Sequence, residues 1–97
     1  MIMTSLEAHV DPAKQESLKQ ALKEQLASRL PGLVEAVLTQ NAEDPNLWRL
    51  MGFWESREAF ESYRRSVPVL AGDLVFRAAD AKPTFTMFDI VHRQKLT

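Results

Sequence analysis

The chain has 97 residues, 45% of them hydrophobic and 26% charged, as expected for one compact domain spanning residues 1–97. A net charge of −1 and a pI near 6.1 argue against a nucleic-acid-binding protein, which needs a basic surface. No apolar run approaches the ~20 residues of a membrane helix, and the first ten residues lack the features of a secretory signal. The absence of cysteine excludes disulfides, thiol nucleophiles and cysteine metal sites, and it favours a cytoplasmic location.

Residues 1–10 alternate in polarity and predict a half-buried strand. One side carries Ile2, Thr4, Leu6, Ala8 and Val10, and the other carries Met3, Ser5, Glu7 and His9. Asp11 followed by Pro12 predicts a helix start, because Asp accepts hydrogen bonds from free N–H groups and Pro fits the first helical position. This helix is expected over residues 13–30, with a stripe of leucines facing the core, and Pro31 and Gly32 end it.

The middle of the chain predicts a hairpin that leads into a second helix. Residues 33–40 are rich in strand-forming side chains, residues 41–46 form a turn cluster of Asn, Asp and Pro, and residues 47–55 form an aromatic third strand. Ser56 is the expected N-cap of a helix over residues 57–66, and Pro68 ends that helix.

The last third of the chain predicts a packed segment and a final strand. Residues 69–80 are expected to form a short helical turn or a loop, which packs through Leu70, Leu74, Val75 and Phe76. Residues 82–92 alternate with apolar groups on both faces, which predicts a strand that is covered on both sides.

The resulting order is β-α-β-β-α-β, the ferredoxin-like arrangement of the α+β class. It places both helices on one face of a four-stranded antiparallel sheet and leaves the other face open. Met3 and alternating large residues of the third and fourth strands make that open face partly apolar. A partly apolar exposed face indicates a partner, and we expect a homodimer in which two sheets pack against each other to form a barrel.

Four segments resemble the antibiotic biosynthesis monooxygenase-like family of dimeric α+β barrels. They are "LPG" before the second strand, "EDPNLWRL" at the hairpin, "GFWESREAFESYRRS" from the third strand into the second helix, and the terminal "FTMFDIVH". The resemblance implies a pocket between sheet and helices in each protomer, separate from the dimer barrel. Some members of the family oxidise phenolic polyketides or quinols with molecular oxygen and no metal or flavin, others degrade haem, and many have no assigned reaction.

The chain departs from the family's known sites at several positions. Relatives that degrade haem use an asparagine on the first strand and a tryptophan and a histidine in and after the second helix; the matching positions here are Leu6, Tyr63 and the vicinity of Asp73. Many other relatives carry a histidine in the second helix, where this chain reads "SYRRS", and a glutamate at the position of Gly52. These departures argue against haem degradation and against a histidine-centred mechanism in that helix.

The two histidines do not predict a metal site. His9 and His92 are expected at the ends of neighbouring antiparallel strands, more than about 20 Å apart, and a single histidine without clustered carboxylates does not hold zinc. His92 is the candidate proton acceptor, because imidazole is a common general base. The alternative is that His92 is simply a solvated residue at a strand end.

The aromatic residues predict either core packing or a pocket wall. Trp48, Gly52 and Trp54 share one face of the third strand because their spacing is even. Together with Phe60 of the second helix, the tryptophans are candidate substrate-binding residues, since flat rings with a single polar tip suit a planar hydroxylated substrate. Gly52 leaves space for a ligand or for a neighbouring side chain.

Tyr63 and Arg64 are the polar candidates of the second helix. Tyr63 lies on the stripe that faces the sheet, so its phenol needs a hydrogen-bond partner, which is either the substrate or the backbone. A cofactor-free oxygenase needs its substrate as an enolate or phenolate, so the protein must remove a proton and stabilise the anion. We therefore predict Tyr63 as catalytic and Arg64 as anion-binding, although two consecutive arginines are also typical of a solvated helix face.

Two hypotheses about function follow. The first is a monooxygenase without metal, flavin or other cofactor that acts on an aromatic, polyketide-like or quinol small molecule. The second is a non-catalytic module of the same fold that binds a small molecule or serves only as a structural dimer.

Overall fold

A computed structural model describes residues 1–97. Its elements are β1 (Ile2–His9), α1 (Gln15–Gln25), β2 (Leu33–Gln40), β3 (Leu47–Trp54), α2 (Arg57–Ser66), α3 (Ala71–Arg77) and β4 (Thr84–Asp89), with a 3-10 turn at Pro12–Lys14. The strands form one antiparallel sheet in the order β2-β3-β1-β4, which confirms the predicted ferredoxin-like α+β fold. None of the helices combines the length and the apolar character needed to cross a bilayer.

The register of β1 fixes which residues meet across the centre of the sheet. Thr4 lies opposite Gly52 on β3 and opposite Met87 on β4. Paired residues of antiparallel strands point to the same face, so the predicted inward side of β1 shares the helix-covered face with Trp48 and Trp54. The predicted common face of the two tryptophans is therefore confirmed, and both are buried.

The first helix is shorter than predicted. Asp11 caps the 3-10 turn as expected, with its Oδ1 accepting the N–H of Ala13 at 2.8 Å, but α1 then ends at Gln25 instead of continuing to residue 30. The residues that follow, 27–29, are exposed, so a further helical turn would bury nothing. Since packing supplies most of the stability of a helix in a protein, the chain turns early and returns Leu30 towards the sheet.

The second helix has the predicted bounds. Ser56 Oγ accepts the N–H of Ala59 at 3.0 Å, as expected for an N-cap, and Pro68 follows shortly after the last helical residue. Gly32 adopts a φ of +86°, and a Cβ there would lie 2.6 Å from that of Ala59, so the turn before β2 needs glycine both for its backbone and for the approach of α2.

The last third contains one more helix and a shorter strand than expected. Residues 71–77 form α3, which buries Val75 and Phe76, whereas Leu74 is exposed on its outer side. The final strand covers residues 84–89 and not 82–92, so His92 lies in the terminal segment and does not end the strand as predicted. Beyond the strand, the N–H of Ile90 bonds to the carbonyl of Met1 at 3.1 Å, and the guanidinium of Arg93 donates to Met1 Sδ at 3.2 Å.

The core between sheet and helices consists of two hydrophobic clusters. The larger contains ten buried residues, among them Leu6, Trp48 and Phe76. The smaller contains Ile2, Trp54 and Phe60. The two clusters are covered by different helices, since the larger includes residues of α1 and α3 and the smaller includes the buried residue of α2.

The other face of the sheet has no helix over it. One cross-strand row contains Glu35, Phe53, Met3 and Phe88, and the row at the opposite end contains Thr39, Arg49, Glu7 and Thr84. The first row is mainly apolar, and Phe88 is 46% exposed. The second is polar, with an ion pair between Arg49 and Glu7. We call this surface the open face.

Candidate functional site

An apolar pocket of about 60 Å³ lies between the sheet and the helices. Its wall draws on both hydrophobic clusters, with Leu6, Leu50 and Val75 from the larger and Trp54 and Phe60 from the smaller. The remaining wall comes from the end of α1 and the turn after it, from β2, and from the start of α3. The pocket is therefore the gap where the two clusters meet.

Four aromatic rings line one side of this pocket. The ring of Trp54 stacks on Tyr63, with centroids 5.2 Å apart and planes inclined by 27°, and meets Phe60 edge to face at 5.1 Å. Phe60 in turn stacks on Phe85 of β4 at 5.9 Å. Strand β3 supplies Trp54 and the sheet-facing side of α2 supplies Phe60 and Tyr63, so the strand–helix corner builds an aromatic wall.

A buried hydrogen bond fixes the indole of Trp54. Its Nε1 donates to Thr4 Oγ1 at 3.1 Å, and the Thr4 hydroxyl makes a weaker contact with the carbonyl of Gly52 at 3.5 Å. A Cβ on Gly52 would lie 3.0 Å from Thr4 Oγ1 and 3.1 Å from Trp54 Nε1. The space that the glycine leaves is thus occupied by the side chains of Thr4 and Trp54, which form this hydrogen bond.

The hydroxyl of Tyr63 joins α2 to α3. It accepts the N–H of Ala71, the first residue of α3, at 2.8 Å. This satisfies one of the N–H groups that a helix start leaves free. The sequence predicted either the substrate or the backbone as the hydrogen-bond partner of this phenol, and the structure shows a backbone partner. Tyr63 is also the one ionisable side chain in the pocket wall.

The structure separates the remaining predicted site residues. Trp48 is buried but lies outside the pocket wall, and its Nε1 has no hydrogen-bond partner. Arg64 is exposed, with its guanidinium carbon 5.9 Å from the centroid of Phe85, so it lies beside the wall. His92 is exposed and contacts Oε1 of Gln94 at 3.0 Å through Nε2. His9, the last residue of β1, contacts Asp44 of the β2–β3 turn at 3.0 Å.

Sequence reasoning missed Thr4 and Phe85 as pocket residues. A hydroxyl among the apolar inward positions of β1 was a visible signal for Thr4, because a buried hydroxyl normally has a partner. The partner itself follows only from the register that sets Thr4 beside Gly52. Phe85 belongs to the inward face of β4, but nothing in the sequence alone indicated that it would meet Phe60.

The pocket can hold an apolar group beside a few hydroxyl and amide groups. Its volume is below the ~150 Å³ of a cavity known to hold a benzene ring. Many of its wall residues are only half-buried, including Leu26, Leu30 and Leu70, so side-chain rotation at the margin is the available way to enlarge it. No three His, Asp or Glu side chains cluster anywhere in the chain in the way that holds a metal ion.

Several solved structures share this fold at low sequence identity. A proposed antibiotic biosynthesis monooxygenase from Deinococcus radiodurans superimposes with a TM-score of 0.75 at 11% identity, covering 100% of this chain and 99% of that one. An asparagine-to-alanine variant of SnoaB, a cofactor-independent oxygenase from Streptomyces nogalater, gives 0.75 at 18% identity, covering 95% and 94%. A proposed antibiotic biosynthesis monooxygenase from Nitrosomonas europaea gives 0.71 at 19% identity, covering 95% and 100%.

The sequence comparisons assign the family. No curated protein gives a significant sequence match. The family description "Antibiotic biosynthesis monooxygenase" matches residues 1–72, about three quarters of the chain. The chain therefore belongs to the antibiotic biosynthesis monooxygenase family.

Proposed function

We propose that this protein is a cytoplasmic monooxygenase that uses no metal or flavin and acts on an aromatic, polyketide-like or quinol small molecule. The observation that carries the proposal is the pocket wall, in which the stacked rings of Trp54 and Tyr63 bring one phenol into a mainly apolar space. An aromatic wall with a phenol hydroxyl suits a planar ring that carries oxygen substituents. The family to which the chain belongs supports the same class of reaction.

The chemistry assigned to this pocket is oxidation of an activated ring carbon by molecular oxygen. The substrate loses a proton to solvent at the half-exposed margin of the pocket, its enolate or phenolate supplies the electrons that reduce oxygen, and the proton is returned to the water that leaves. One oxygen atom becomes a carbonyl oxygen in place of two hydrogens, and the other leaves as water, so anthrone and O₂ give anthraquinone and water. The protein contributes a dry environment and hydrogen bonds to the anion.

The proposed roles follow from position. Tyr63 is the polar group in contact with the substrate, and Trp54 and Phe60 hold its ring. Arg64 supplies a positive charge beside Phe85 at the margin, where an anionic substituent would lie. We assign no role in the reaction to Trp48 or His92, because neither lines the pocket.

We also propose that two copies pair through the open face. The row of Phe53, Met3 and Phe88 offers apolar area, and the ion pair of Glu7 and Arg49 offers both signs of charge to a symmetric partner. Such a surface suits a two-fold interface, which must be complementary to itself. The pocket lies on the opposite side of the sheet, so pairing leaves it accessible.

Oxygen uptake tests the enzymatic proposal. We expect the purified protein to consume O₂ with anthrone or with a member of a hydroquinone panel. Tyr63→Phe should lower kcat/KM by about a hundredfold, because it removes the polar group that assists proton transfer. Trp54→Phe should mainly raise KM, since a smaller ring remains.

Phe76→Leu is the control, because it perturbs the core at a residue outside the pocket wall. Uptake that is equal in the wild type and in Tyr63→Phe would contradict the assignment.

The second function is a non-catalytic binding module. It is favoured by the small volume of the pocket and by the absence of a histidine or carboxylate from its wall. If no compound of the panel stimulates oxygen uptake, but one binds and raises the melting temperature, the module is the correct description.

A further inference from the structure

A groove with about 220 Å³ of space crosses the open face, on the side of the sheet away from the pocket. Its floor is Ser5, whose short side chain projects from β1 between the longer Met3 and Glu7 of the same strand. The groove runs from Met3 and Phe88 at one end to Glu7 and Arg49 at the other. Met3 and Glu7 are about 13 Å apart along the strand. The groove therefore changes from apolar to polar along its length.

Ser5 carries a buried hydroxyl that lacks a partner. The residue is only 7% exposed, and its Oγ makes no hydrogen bond within the chain. This oxygen is not sealed inside the protein, because Trp48 Nε1 is the one fully enclosed side-chain atom without a partner. The hydroxyl therefore opens into the groove. Since buried hydroxyls normally have a hydrogen-bond partner, a molecule in the groove is the expected partner of this one.

The ion pair at the polar end of the groove leaves two groups free. Arg49 donates to Glu7 through Nε and Nη2, and both bonds reach the same oxygen, Oε2. Glu7 Oε1 and Arg49 Nη1 have no partner within the chain, so this end offers an acceptor and donors without a net charge. The hydroxyls of Thr84 and Thr86 add groups that both donate and accept along the same groove.

We propose that the groove is a ligand site for an uncharged small molecule with an apolar group at one end and a carboxamide at the other. Ser5 and Glu7 are roughly 7 Å apart along β1, a gap that an amide spans. The serine hydroxyl donates to the amide oxygen, and the amide N–H donates to Glu7 Oε1. The apolar group lies against Met3 and Phe88. An anionic ligand would face Glu7 and a cationic one would face Arg49, so a neutral ligand is selected.

The site is independent of the proposed oxygenase function. None of the groove residues lines the pocket between sheet and helices. All of them belong to one chain, so the site does not require a second copy. When two copies pair through the open face, as proposed above, the groove lies between the two sheets and its ligand is enclosed there.

Methyl labelling of the methionines tests the site in the intact protein. The probe is 3-phenylpropanamide, and 3-phenylpropanoate is the matched comparison, because it keeps the ring and the chain but replaces the amide with a carboxylate. We expect the Met3 methyl resonance to shift in a saturable way with the amide. The Met87 methyl, which packs on the helix side of the sheet, should stay in place. The carboxylate should bind about tenfold more weakly, because it has no N–H donor and repels Glu7.

A serine substitution tests the bond at the floor of the groove. In Ser5→Ala the affinity for the amide, read from the Met3 signal, should fall by about three- to tenfold, the effect of one neutral hydrogen bond. Ser28→Ala is the matched control, since it removes the same hydroxyl from an exposed residue outside the groove, and it should leave the affinity unchanged.

Three results would each overturn the proposal. A stationary Met3 resonance would show that the free hydroxyl meets only water. Equal affinities for the amide and the carboxylate would show that Glu7 does not select the ligand, and an unchanged affinity in Ser5→Ala would show that the hydroxyl makes no bond to it. None of these measurements depends on oxygen uptake, so the failure of one proposal leaves the other standing.

Discussion

At the scale of single residues, Gly52 determines whether the pocket wall can form. Its missing side chain leaves the space in which Thr4 and Trp54 meet, and the hydrogen bond between them orients the indole that stacks on Tyr63. The backbone of Gly52 is that of an ordinary strand residue, so the requirement concerns space and not conformation. A glycine in the middle of a strand otherwise reduces stability.

The substitution Gly52→Ala should therefore destabilise the protein despite the better strand propensity of alanine. The added methyl would lie 3.0 Å from Thr4 Oγ1 and 3.1 Å from Trp54 Nε1, so both side chains must shift. We expect a loss of about 1–2 kcal/mol in the free energy of unfolding, measured by urea denaturation.

A double-mutant cycle identifies the cause of that loss. In a Thr4→Ala background the obstructing hydroxyl is gone, so Gly52→Ala should cost less than it does in the wild type. An equal cost in both backgrounds, or a Gly52→Ala protein as stable as the wild type, would show that this contact does not set the requirement for glycine.

At the scale of elements, the strand–helix corner was the most predictable part of the chain. Even spacing placed Trp48 and Trp54 on one face of β3, and Ser56 and Pro68 marked the limits of α2. These features are local, because a cap needs only the neighbouring N–H groups and a strand alternates by geometry. The structure brings Trp54, Phe60 and Tyr63 into one wall, while their catalytic and binding roles remain predictions.

Elements whose limits depend on distant contacts were less predictable. The periodic leucines of α1 continue to Leu30, but the helix ends at Gln25, because residues 27–29 find no surface to cover. Likewise, β4 stops at Asp89 where pairing with β1 runs out at Ile2, although the alternation continues to His92. The partnership of Thr4 with Trp54 depends on register in the same way, and the sequence alone does not contain it.

Across the whole molecule, the two faces of the sheet differ in what covers them. One carries the helices and the pocket, and the other, the open face, exposes Phe88 and half-exposes Met3 and Phe53. A chain of this length buries a limited share of its surface, so pairing of two open faces would add a second hydrophobic layer. The order of the predicted elements was enough to expect this division, because the ferredoxin-like fold leaves one sheet face without helices.

A charge on the open face should therefore disrupt pairing. We expect the wild type to sediment at twice the 11.0 kDa chain mass at micromolar concentration. Phe88→Glu should weaken the dimer by about 3 kcal/mol, roughly a hundredfold, because it buries an unpaired carboxylate. The matched control is Leu74→Glu, since Leu74 is 37% exposed, against 46% for Phe88, but lies on the helix side. A monomeric wild type, or equal dissociation of both variants, would be inconsistent with an interface at the open face.

The gap between sheet and helices, walled by Trp54 and Tyr63, is the proposed functional site. The most direct measurement is a titration of the ¹⁵N-labelled protein with anthrone under nitrogen, following the two indole N–H resonances. Trp54 lies in the wall and Trp48 lies outside it, so one signal is the probe and the other is the internal control. We expect the Trp54 resonance to shift in a saturable way while that of Trp48 stays in place. Two stationary resonances, or a shift of Trp48 alone, would show that the ligand does not bind at this wall.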